Sequence, residues 1–275
     1  DAPRFELSGN PAATLGNGTP VTRTGFATGV HPGGGADEAA QVLTFTVTRT
    51  SGPPSLLSAQ PALTRDGTSA TLDYTPASGV YGTAEYSVVL SDNGGTANGG
   101  QNTAEAQSFT VTVSPVTLST SVTEGQGSIQ RNPGGGASGT PGTFNYGYGN
   151  AVTLTANPQS GYVFAGWGGA CEGQGNSCDL TMDANKSATA SFDAIVSVVP
   201  VNTGSYFDVA SSPGSISGCN PWFGTGTCSS TFSIGTQVVL TISDPRSVSG
   251  VTCAENMPTT TCTFTVTEPV TVLLD

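Results

Sequence analysis

Leu43-Thr44-Phe45-Thr46-Val47-Thr48 sets apolar side chains at 43, 45 and 47 and threonines between them. Side chains of an extended strand alternate between two faces, so this stretch offers one face to a core and the other to water. The same period of two returns at Tyr86, Val88 and Leu90, and again at Phe109, Val111 and Val113. No window of the chain carries a convincing helical period, and Gly, Pro and Asn cut it every ten residues or so. The fold class this predicts is all-β, built as small tandem domains.

Turn chemistry agrees. Asp66-Gly67 is a short-hairpin signal between extended segments. Ser91-Asp92-Asn93-Gly94-Gly95 can supply both Asx hydrogen bonding and positive φ. Ser114-Pro115 closes one strand and marks a first boundary; a second falls near Asp193-Ala194, after Ala188, Ala190 and Phe192. Three divisions are expected, residues 1–115, 116–193 and 194–275.

The last two divisions look like copies of one unit. Gly127-Ser128-Ile129, Val152-Thr153-Leu154-Thr155, Cys171 and Cys178 return in order as Gly214-Ser215-Ile216, Val238-Val239-Leu240-Thr241, Cys253 and Cys262. A chain that repeats a small strand-rich unit builds length or surface more often than one catalytic pocket. The Gly-rich stretch from Asn132 to Gly139 lacks the Lys-Ser or Lys-Thr and the βαβ setting of a phosphate loop, and reads as a long hairpin loop.

Seven basic against 19 acidic residues give a net charge of -12 and a pI near 4.1. That surface repels phosphate backbones and anionic lipid, so no nucleic acid and no direct membrane insertion are expected. No apolar run reaches the length of a spanning helix. Asp1-Ala2-Pro3 would suit a mature amino terminus left by a cleaved leader, or the edge of an excised segment.

Six cysteines fall as three sequence neighbours: Cys171 with Cys178, Cys219 with Cys228, and Cys253 with Cys262. No pair has the short gap of a zinc knuckle and the single histidine, His31, is remote, so local disulfides are the expected pairing. Closing loops this short stabilises by roughly 2.5 kcal/mol each in the chain-entropy treatment. Persistent disulfides imply an oxidising place: secreted, periplasmic or at the cell surface.

Little here can run catalysis. His31 sits in a Gly- and Pro-bounded turn, and no two carboxylates share a recognisable setting. No cofactor is expected; calcium is the hard-oxygen ligand that Asp37, Glu38, Asp92, Asn93 and Glu105 would take if their loops met, with Asx-turn and solubility roles as the alternative. Tyr162, Phe164 and Trp167 read as core, whereas Tyr146, Tyr148 and Trp222 are candidate sugar-stacking aromatics. Asn17-Gly18-Thr19 and Asn185-Lys186-Ser187 are glycan sequons that chance explains equally well.

The ordered set Val152 to Pro158, Gly161-Tyr162-Val163-Phe164-Ala165-Gly166-Trp167, Cys171, Cys178 and Ala188 to Phe192 resembles the divergent bacterial repeat related to the internalin B repeat, over 116–193. Residues 194–275 look like a degraded relative that keeps the apolar strand and the cysteine pair. Residues 1–115 are similar to immunoglobulin-like or cadherin-like modules of bacterial surface proteins, through Asp37 to Gln41, Tyr74-Thr75-Pro76, Leu90 to Thr96 and Gln107 to Val113. These resemblances imply an immunoglobulin-like β-sandwich followed by two small antiparallel repeat modules, and a non-enzymatic extracellular spacer or adhesive role.

The expected function is therefore a surface stalk or the subunit of an extracellular filament, with other copies of itself, other surface proteins or glycans as partners. Strand exchange is one route to assembly, with Arg4-Phe5-Glu6-Leu7 and Phe264 to Leu274 as candidate donors. The alternative is a carbohydrate-binding accessory region of a larger secreted enzyme.

Overall fold

The computed structural model describes all residues except 36–37, 97–99, 134–141, 202–207, 215, 221–224, 244–246, 257 and 275. It is all-β, with one 3-10 turn at Pro54–Leu56 and no α-helix among the described residues. The chain divides into two compact units. The first holds Asp1–Leu118 with Asn145–Ala151 and Thr181–Asn185; the second holds Ser119–Phe144, Val152–Leu180 and Lys186–Asp275.

The first unit carries β1 (Arg4–Leu7), β2 (Thr14–Leu15), β3 (Val21–His31), β4 (Thr44–Ser51), β5 (Leu57–Asp66), β6 (Ser69–Pro76), β7 (Gly82–Ser91) and β8 (Gln107–Ser114). They form two four-stranded sheets, ordered β1-β3-β6-β5 and β2-β8-β7-β4. The alternation read from sequence is the burial pattern observed. Tyr86, Val88, Leu90, Phe109, Val111 and Val113 fill one core with Leu72 and Tyr74, while the threonines of β4 stay exposed. Tyr86 stacks on Phe109 at 5.5 Å between ring centroids, its direct partner across β7 and β8. At Asp66↔Ser69 the chain reverses in two residues, with Gly67 at φ +59° supplying the left-handed turn.

The remaining strands, which lie mostly in the second unit, begin with β9 (Val116–Glu124), β10 (Gly127–Asn132), β11 (Gly142–Tyr146), β12 (Ala151–Pro158), β13 (Tyr162–Gly169), β14 (Ser177–Thr181) and β15 (Lys186–Pro200). They go on through β16 (Val209–Ser212), β17 (Ser217–Asn220), β18 (Thr225–Thr227), β19 (Ser229–Phe232) and β20 (Gln237–Ser243). They end with β21 (Val248–Ser249), β22 (Cys253–Asn256), β23 (Thr259–Thr265) and β24 (Val270–Leu274).

The two stretches expected to be copies pair their strands in a similar order. In the first, β9 lies between β11 and β15, β12 lies between β10 and β14, and β13 pairs with β15. In the second, β15 pairs with β19 and β24, β20 lies between β16 and β23, and β21 pairs with β24. One strand, β15, takes the last role in the first copy and the first role in the second. It does not stop at Asp193-Ala194. Ala188, Ala190, Phe192, Ala194, Val196 and Val198 are all buried, so one apolar face runs through that point without a glycine or proline to interrupt it.

One expectation changes here. The modules are not purely antiparallel, because β15 and β24 run parallel from Val196↔Val270 to Pro200↔Leu274, a pairing that a long intervening chain allows. The strands on either side of the Gly-rich segment, β10 and β11, belong to different sheets. Residues 134–141 of that segment lie outside the described residues. The repeated Gly-Ser-Ile also gains a reason. A Cβ on Gly127 would come within 2.5 Å of the Phe192 ring, and one on Gly214 within 2.5 Å of the Phe232 ring, so each copy packs an aromatic face on bare backbone.

Candidate functional site

Half-buried Phe164 packs on buried Trp167, with Tyr162 also buried on the same strand, and a β-bulge makes the ring contact possible. Phe164 stands opposite Phe192, but the register then slips so that Gly166 meets Ser191 and Trp167 meets Ala190. Without the slip, Trp167 would face away from Phe164, because 164 and 167 differ by an odd number. With it, the two rings lie 5.4 Å apart and Phe164 reaches Phe192 at 6.1 Å. Trp167 is buried and its indole N–H donates to the Gly175 carbonyl at 2.7 Å, which ties β13 to the segment closed by Cys171 and Cys178. The bulge is what sequence reasoning missed; Gly166 was the signal for it.

The six cysteines form three disulfides, Cys171–Cys178, Cys219–Cys228 and Cys253–Cys262. Cys253 lies directly opposite Cys262 across β22 and β23. Cys171 and Cys178 are both fully buried, while Cys228 and Cys253 are half-buried.

Of the sugar-stacking candidates, Tyr146 is a correction. It ends β11 rather than sitting in a loop, shares a strand face with half-buried Phe144, and is only 6% exposed, so it has no flat face to offer. Tyr148 is half-buried in a turn of the first unit, where its carbonyl accepts the Gly79 N–H at 3.1 Å. Trp222 lies outside the described residues.

The calcium candidates are mostly engaged in local bonds. Glu38 accepts the amino terminus of Asp1 at 2.8 Å, Asp92 accepts the Gly94 N–H at 2.8 Å, and Asn93 accepts the Val42 N–H at 2.8 Å. Glu105 is exposed, and Asp37 lies outside the described residues. No group of three or more His, Cys, Asp or Glu side chains is set to hold a metal ion among the described residues. His31 ends β3 and its Nδ1 accepts the Gly33 N–H at 3.1 Å, a loop bond rather than a catalytic one.

Neither candidate donor strand is free. On one side β1 pairs with β3; on the other, the Gln107 amide bonds to the Phe5 carbonyl at 2.6 Å and accepts the Leu7 N–H at 3.0 Å. Within the carboxy-terminal candidate, Phe264 and Thr265 of β23 pair with β20, and β24 pairs with β15 along its length and with β21 at Leu273 and Leu274.

Residues 127–196 match the family described as the divergent InlB B-repeat domain. The stretch runs from the start of β10 to Val196 of β15 and leaves β9 outside it. No curated protein matches the chain. Among solved structures, the chain is similar to the Bacillus anthracis TIE protein at 10% identity with a TM-score of 0.38, covering 98% of this chain and 57% of that one. No helix among the described residues is long and apolar enough to cross a membrane.

Proposed function

We propose that the chain is a non-enzymatic structural or adhesive segment of an extracellular bacterial surface protein, a stalk element that carries load between partners. The observation that supports this reading best is the parallel ladder of β15 and β24. Tension along the chain enters the second copy at the start of this part of β15 and leaves at the end of β24. Parallel neighbours pulled from opposite ends are sheared, so the five registered pairs from Val196↔Val270 to Pro200↔Leu274 must fail together rather than one at a time. Forced unfolding depends on the barrier to that event.

Sharing β15 supports the same reading, since one unbroken strand carries force from copy to copy where a Gly- or Ser-rich linker would let them swing. Three disulfides fit an oxidising location and shorten what can be drawn out once a copy yields. The matched repeat family adds no catalytic chemistry. Of the two forms of assembly, the stalk is favoured over filament growth by strand exchange, because β1 and the carboxy-terminal strands are paired in place.

Single-molecule pulling through the chain ends tests this. The expected result is a cooperative rupture that moves to clearly lower force in a Val272→Pro variant, which breaks the ladder at its centre. Gradual low-force extension, or the same rupture force in the variant, would overturn it.

A further inference from the structure

The first unit has an open cleft of about 490 Å³, at the low end of the range for small-ligand sites, roughly 300–1,000 Å³. It lies where β4 and β5, the outer strands of the two facing sheets, fail to close on each other. The cause is local: the register of β5 slips between Leu57 and Ala59 and again between Ala59 and Ala62, and Pro61 has no N–H to give. Pro54, Pro61 and Val47 make the walls apolar, and Tyr86 forms the floor.

Three polar side chains meet there. Arg49 stands opposite Tyr86 in the β4–β7 register, so both point to the same side of the sheet. Its guanidinium donates to the Gly52 carbonyl. That carbonyl is itself fixed, since Gly52 holds φ +85° and a Cβ there would strike the backbone of Thr83 and Ala84. The Tyr86 hydroxyl donates to Gln60 Oε1 at 3.0 Å, and the Gln60 amide donates to the carbonyls of Leu57 at 3.2 Å and Pro54 at 3.5 Å. Tyr86 oxygen and Gln60 Oε1 thus keep lone pairs for a ligand hydroxyl, and Arg49 keeps N–H donors for an anion.

Arg49 forms no ion pair with a carboxylate among the described residues, in a chain of net charge -12. A pinned guanidinium beside proline walls and oriented hydroxyl partners is a recognition set for a small hydroxylated carboxylate. We infer that this cleft binds a terminal acidic sugar, a uronic or nonulosonic acid residue, with Arg49 on the carboxylate, Tyr86 and Gln60 on ring hydroxyls, and the prolines against the apolar ring face. A second cavity of this unit, about 190 Å³ beside Arg23, has no tyrosine in its lining and serves as the control. This site goes beyond the stalk reading, and loss of either leaves the other standing.

The test is titration of the whole chain with glucuronic acid, N-acetylneuraminic acid, glucose and an acetylated dipeptide with a free carboxylate, followed by saturation-transfer NMR and calorimetry. Saturable binding of an acidic sugar but not of glucose is expected. It should weaken about tenfold or more in Arg49→Gln and in Tyr86→Phe, and stay unchanged in Arg23→Gln. Tyr86→Phe keeps the ring in the core, so an unchanged melting curve separates lost binding from lost fold. Failure of both acidic sugars to bind, equal binding of glucose, binding of the dipeptide in their place, or full affinity in Arg49→Gln overturns the inference.

Discussion

Val198 of β15 stands beside Val272 of β24 in parallel register, both buried, although 74 positions separate them in the chain. Contacts so distant in sequence form late and at an entropic cost, so the pair depends on the rest of its copy being folded. Val272→Ala removes two buried methyl groups and leaves a cavity, at a cost of about 2 kcal/mol. Leu273→Ala, next along the strand but 38% exposed, should cost about 0.5 kcal/mol or less. Denaturant melts of the two variants check the contrast, and equal losses would mean that this face of β24 is not core.

Gln107 caps the outer edge of β1 with both ends of its amide. An unpaired strand edge is a template for another chain, so this side chain blocks assembly there while holding β1 in place. Gln107→Leu leaves the Phe5 carbonyl and the Leu7 N–H without their partner, at a cost of roughly 1–3 kcal/mol. Amide exchange at Leu7 should quicken, and size-exclusion chromatography should show concentration-dependent association that the parent chain lacks. A monomeric variant with unchanged exchange would leave Gln107 without this role.

Much of this was legible where a contact is local or periodic. The alternation at Tyr86, Val88 and Leu90 gave a core face, and Asp66-Gly67 gave a two-residue turn, because strand parity and left-handed glycine act within a few residues. The Trp167 position was harder, since a bulge resets parity and shows in sequence only as Gly166. Tyr146 misled because its Gly and Asn neighbours look like loop, while the residue ends a strand and is buried. Asp193-Ala194 resembles a boundary only if repeats must end where they begin again; a shared strand removes that need. Gln107 on β1 and Tyr86 on Gln60 act across sheets, and no spacing rule predicts such pairs.

The disulfides should open in an order set by access. Exchange needs a thiolate to reach a sulfur atom, and Cys171 and Cys178 are both fully buried, behind the segment that Trp167 ties down. Cys228 and Cys253 are half-exposed members of the other two bonds. Limited reduction and alkylation, read by peptide mass spectrometry, should label Cys219–Cys228 and Cys253–Cys262 before Cys171–Cys178. The second copy lacks the Gly-Tyr-x-Phe-x-Gly-Trp cluster, so it should lose more stability on reduction than the first. Earlier labelling of Cys171, or equal loss in both copies, would contradict the role given to the aromatic cluster.

Alkaline pH should act on the first unit through its buried tyrosines. Burial pushes the Tyr86 phenol above its ordinary pKa of 10.0, with Arg49 opposing, and Tyr74 is raised by burial in the same way. A raised folded-state value means that between 10 and that value the unfolded chain has lost a proton that the folded chain still holds. Stability is therefore undiminished by these groups below pH 10 and falls as pH climbs through the folded value. In Tyr86→Phe the alkaline fall should be shallower, because one of the two phenols that must ionise is gone, while Tyr74 keeps the rest. Denaturant melts from pH 8 to 11.5, with tyrosinate absorbance recorded alongside, check the slope. An identical slope in the variant would show that Tyr86 ionises as freely in the folded chain as in the unfolded one, and the cleft floor would then be wet.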